Sequence, residues 1–159
     1  MSKRGQFQIS FGMIFSIFII IAIIAVAGYV IYKVFIPTAS CIETGLFHEP
    51  LEDHIDKAWQ STIHSSIFKG SLPAGIEQVC FGDIRQASSQ YSEISRDFIN
   101  SNGNVFLYPP HKACESSLAS KKLEHVKING FFCIQVKEGE IQIKTSKDQF
   151  EALVNIQPV

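Results

Sequence analysis

Charge is missing from the front of this 159-residue chain: no charged side chain stands between Arg4 and Lys33, and no acidic residue precedes Glu43. That absence excludes a solvated or amphipathic surface helix over the first quarter of the sequence, because such a helix needs one polar face. Motifs for chemistry are also missing. There is no GxSxG elbow, phosphate-binding loop, HExxH or dinucleotide fingerprint, so no hydrolase, NTPase, zinc protease or dehydrogenase is indicated. The four cysteines include no CxxC pair, which argues against a zinc ribbon. No Asn-x-Ser/Thr sequon occurs, and no basic stripe that would suit nucleic acid. No catalytic residue, metal site or cofactor is expected from these lacks, and the chain is expected not to be an enzyme.

What is present is a long apolar run at residues 9–36. A bilayer core takes roughly 20 apolar residues in helix, and a lone segment satisfies its own backbone in lipid only as a helix. A single transmembrane helix is therefore expected there. Lys3 and Arg4 precede it, and every Asp and Glu follows it. Positive charge stays cytoplasmic, so residues 1–8 form a basic cytoplasmic N-terminus and residues 37–159 an extracytoplasmic, mildly acidic domain. This is a single-pass cell-membrane protein by expectation. Tyr29, Tyr32 and Lys33 suit the outer membrane interface, and Pro37 is expected to end or kink the helix. Gly12 with Ser16, and Ala22 with Ala25 and Gly28, are small residues that allow close helix packing in lipid.

Cys41, Cys80, Cys114 and Cys133 all lie beyond the apolar run. In an oxidising compartment, four widely spaced cysteines are candidates for two disulfides, each stabilising by roughly 3–4 kcal/mol in the chain-entropy model. Three pairings are open.

Lys3-Arg4-Gly5-Gln6 directly before a long apolar helix resembles the class III signal peptide of archaeal type IV pilin-like proteins. The resemblance covers about 30 residues. It implies cleavage between Gly5 and Gln6 by a prepilin peptidase. It also implies self-association, or assembly with other pilin-like subunits, through the retained helix. The family's Ser and Glu at the third and fifth positions after the cut are Gln8 and Ser10 here. The function so implied is a membrane-anchored structural subunit of a surface filament or of a secretion or adhesion complex. A reading from a different class is a binding or sensor domain tethered by an uncleaved signal anchor.

In the domain, periodicity predicts a helix over 46–63, with Pro50 suited to the first helical position and Leu51, Ile55, Ala58 and Trp59 on one stripe. His48 and His54 among Glu49, Glu52, Asp53 and Asp56 invite a metal reading, but a solvated acidic face is the plainer one. Strands are expected over 65–69, 76–81 and 105–108, with helices over 91–100 and 113–123. Phe132, Ile134 and Val136 alternate before Glu138-Gly139, and Ile141 and Ile143 alternate after it, which predicts a hairpin. Val154 and Ile156 suggest a last strand. His64, His111 and His125 are expected at the surface. The fold class expected is α+β, a long N-terminal helix followed by a helix and an antiparallel sheet.

Overall fold

The computed structural model describes residues 11–115 and 117–159, and describes Phe11 and residues 34–40 by backbone alone. The chain divides into two compact units, Met1–Pro37 and Thr38–Val159. Helix α1 (Phe11–Gln60) supplies residues to both. The α+β class with a long apolar N-terminal helix is observed.

The helix runs through Pro37 rather than ending there, and one sequence expectation is corrected: the helix expected over 46–63 is not a separate element but the last part of α1. Each flank of Pro37 propagates helix on its own account, so one missing backbone bond, at about 3 kcal/mol, is absorbed by a long cooperative run. Pro50 is inside the helix rather than at its first position. Pro50 and Leu46, whose carbonyl loses its helical donor to the proline, are both exposed residues, where the loss of one backbone bond costs least.

Within the first unit, every side chain from Gly12 to Lys33 is exposed. This is the one segment among the described residues that is long and apolar enough to cross a membrane.

The second unit holds two four-stranded sheets. One has the order β1 (His64–Ser71), β7 (Glu140–Lys147), β8 (Val154–Pro158) and β5 (Val126–Ile128). The other runs β4 (Ser120–Lys121), β3 (Val105–Tyr108), β2 (Gln78–Phe81) and β6 (Phe132–Gln135). All pairs are antiparallel except β5 with β8, where the expected sheet was antiparallel throughout. Strand residues alternate faces. On β7 the alternation buries Ile141, Ile143 and Thr145.

One core joins both sheets to α1. Its helical stripe is Phe47, Leu51, Ile55 and Ala58, and its sheet side includes Val79, Phe81, Phe106, Ile143 and Ile156. Trp59 is on the rim of that stripe rather than in it, 37 % exposed. Gly70 admits the helix to the sheet. A Cβ there would lie 2.7 Å from the Phe47 ring. Short helix α2 (Ser92–Phe98) covers the second sheet, with Phe98 against Phe106 at 5.0 Å between ring centres.

The hairpin expected around Glu138-Gly139 is half right. Both residues take positive φ, 55° and 79°, as a tight turn between strands requires. Only Lys137 and Glu140 bridge across it. β6 then pairs with β2, and β7 pairs with β1 and β8. The turn hands the chain from one sheet to the other. The helix expected over 113–123 is absent. After a 3-10 turn at Pro110–Lys112, that stretch holds turns and β4 in its place. Cys114 at φ 74° within this stretch is incompatible with a helix.

Candidate functional site

Two parts of the chain carry features that packing alone does not use. The first is the apolar stretch of α1. Ile, Val and Phe residues from 13 to 31 are exposed all around the helix. Ser16 turns its hydroxyl inward, donating to the Gly12 carbonyl at 2.8 Å, so these two small residues present little polarity. Ala22 lies with Ile19, Ile23, Val26 and Ala27 along a shallow groove. Gly28 has open space around it. Gly12, Ser16, Ala22, Ala25 and Gly28 are thus on an uncovered helix, but at 100° per residue they spread over more than one face. Gly5 and Gln6 lie outside the described residues.

The second part is in the domain, where α1 crosses β1 and β7. Helical periodicity puts His54 one position from the buried Ile55, so its ring reaches over the sheet edge. Strand alternation puts His64, Ser66 and Phe68 of β1 on the helix-facing side. Four polar side chains meet there. The Ser66 hydroxyl is 2.7 Å from His64 Nε2 and 3.1 Å from His54 Nε2. Thr145 Oγ1 is 2.9 Å from His54 Nε2, 3.1 Å from Ser66 Oγ and 3.4 Å from His64 Nε2. The two imidazole rings stand edge to face with centres 5.5 Å apart. Thr145 is fully buried and both histidines are half-buried. Burial lowers the His54 pKa, and the neighbouring His64 and Lys57 push it the same way. His64 was expected at the surface; it is a member of this cluster.

His48 does not join it. Its Nε2 donates to the Leu118 carbonyl at 3.1 Å. Its Nδ1 is buried without a hydrogen-bond partner. Burial lowers its pKa against the opposing pull of the Leu118 bond. Of the acidic residues once considered beside it, Glu52 pairs with Lys121 of β4. Among the described residues, no three His, Cys, Asp or Glu side chains converge on one point. His125 stacks on Trp59 with ring centres 3.7 Å apart, and Trp59 Nε1 donates to the Ala152 carbonyl at 3.1 Å.

The cysteines resolve the three open pairings into two bonds. Cys41 joins Cys114, tying α1 to the turns after β3. Cys80 joins Cys133, which stand directly opposite each other on β2 and β6. No cysteine is free. The strand register that puts Cys80 against Cys133 comes from long-range pairing, and local sequence carries no signal for it. The same holds for Thr145, which nothing in the sequence marks as a partner of His54.

In comparisons with protein-family models, with curated proteins and with solved structures, nothing matches this chain.

Proposed function

We propose that this chain is a pilin-like structural subunit, anchored in the membrane before assembly and built through its N-terminal helix into a surface filament or a secretion or adhesion complex. The observation that carries this is the Gly12–Lys33 segment, apolar and exposed on every side. Exposed apolar surface on this scale is not left to water. Lipid covers it in one state and the helices of other subunits in the other. The second unit supports the reading as the kind of body such a subunit displays. It is a sheet domain cross-linked by two disulfides, a trait of oxidising compartments. With Lys3 and Arg4 ahead of the helix, the domain is outside the cell and the N-terminus inside. A prepilin peptidase is the processing partner, cutting between Gly5 and Gln6. No catalytic role is assigned.

The test is intact-mass analysis or N-terminal sequencing of the native protein. A mature start at Gln6 is expected. A start at Met1 or Ser2 in cells with an active prepilin peptidase removes the filament reading and leaves a tethered binding or sensor domain.

A further inference from the structure

We propose that His54 and His64 form a binding site for a single borderline transition-metal dication of the zinc, nickel or copper type. The two rings come from different elements, α1 and β1, yet both aim Nε2 at the same two hydroxyls. Each ring is therefore already turned toward a common point. The separation also fits. Two imidazoles bound to one ion at about 2.0–2.1 Å with a tetrahedral angle between them have ring centres roughly 5 Å apart. The observed 5.5 Å, at an interplanar angle of 76°, lies within a small closure of that geometry.

Ser66 Oγ now stands between the two nitrogens, at 2.7 Å and 3.1 Å. A turn about its Cα–Cβ bond either clears the position or keeps the hydroxyl as a neutral oxygen ligand. Water completes the coordination from the half-exposed side. Thr145, fully buried beneath, gives up its bond with His54 Nε2, whose one in-plane lone pair goes to the ion, and keeps its own donor toward the Ser66 carbonyl at 3.3 Å. That arrangement fixes the floor of the site. The donor set selects the ion class. Nitrogen donors without a carboxylate suit zinc, nickel and copper rather than calcium or magnesium. A soft thiolate site is ruled out because all four cysteines are in disulfides. Lys57, one turn from His54 on α1, opposes a dication and keeps the site weaker than a full three-ligand centre.

A metal held there would clamp the end of α1 to β1. This is independent of whether the N-terminal helix is in lipid or in a filament.

The experiment uses the untagged full-length chain in detergent, stripped with a chelator. Titration with zinc sulfate by calorimetry is expected to show one ion per chain, and magnesium and calcium chlorides no binding. His54→Gln and His64→Gln are each expected to weaken zinc binding by about tenfold or more, and His111→Gln to leave it unchanged. Near-ultraviolet circular dichroism and the emission of Trp59 report whether each variant is folded. A measurement on the wild-type chain alone guards against misfolded variants. Electron paramagnetic resonance of the copper-loaded protein is expected to show coupling to two nitrogen nuclei. The proposal is overturned if the folded wild type binds none of zinc, nickel or copper at millimolar ion. It is overturned equally if the copper spectrum shows fewer than two nitrogens, or if folded His54→Gln/His64→Gln, carrying both substitutions, binds as well as the wild type.

Discussion

Gly82 takes φ 120°, and a Cβ built on it would stand 2.2 Å from the Gly130 carbonyl oxygen. The obstruction is backbone, so nothing flexible yields. Gly82→Ala is expected to destabilise the domain by on the order of 2 kcal/mol or more, read from the denaturant midpoint. A midpoint equal to wild type would show that the two loops are free to part. His48 makes a different claim at the same scale. Its pKa is held below the ordinary 6.5 chiefly by burial, with Lys121 adding to that and the Leu118 carbonyl and Glu52 opposing it. The unfolded chain therefore takes up a proton at pH values where the folded ring stays neutral. Stability from this group is full above about pH 6.5 and is lost as pH falls toward the lowered folded value. Melting temperatures measured from neutral down to mildly acidic pH are expected to decline in the wild type and to decline less in folded His48→Gln. The burial of His48 was not legible beforehand. His48 looked like part of a solvated acidic face, because its burial depends on the 113–119 turns arriving from 70 residues away.

Elements were legible where their causes are local. The stripe of Leu51, Ile55 and Ala58 predicts a helix with its correct buried face, and β1, β3, α2 and β8 fall near the expected positions. Partners were not legible. The alternation around Glu138-Gly139 is genuine and so is the turn, but each strand finds a better neighbour than the other. β6 is bonded to β2 through Cys80–Cys133, and β7 pairs with β1 along eight residues. Two-residue β4 and three-residue β5 carry too short a pattern to be recognised. The disulfides allow an element-scale test. Cys80 and Cys133 close 53 residues, and Cys41 and Cys114 close 73. Replacing either pair by alanines is expected to cost about 2–5 kcal/mol, and losing Cys41–Cys114 is expected to loosen α1 first. Hydrogen exchange checks the order. Faster exchange in α1 residues 44–58 than in β2 and β3 is the expected result for Cys41→Ala/Cys114→Ala. Uniform acceleration would mean that the bond stabilises the whole domain and not the helix docking.

At the scale of the molecule, the two units differ in what covers their apolar side chains. Residues 12–33 expose Ile, Val, Phe and Met side chains with no protein cover, and each such group is worth roughly 1.5–3 kcal/mol when removed from water. The second unit is self-sufficient by the same measure. Its buried apolar residues run from Phe47 to Ile156. The long apolar run was the most legible feature of the sequence because composition alone defines it. What covers that run is not a local property, and composition is silent about it. The two units can be separated by cutting. A chain beginning at Thr38 retains α1 residues 44–58, both sheets and all four cysteines. It is expected to fold, to form both disulfides, and to sediment as a monomer in plain buffer. The full-length chain is expected to need detergent or to self-associate. Near-ultraviolet circular dichroism and the Trp59 emission check folding of the truncated form, since Trp59 reports the His125 stack and the Ala152 bond at the end of α1. A full-length chain that stays monomeric in water without detergent would mean that the apolar helix finds cover within its own molecule. Neither a membrane nor a set of neighbouring subunits would then be needed, and the subunit reading would fail at its physical root.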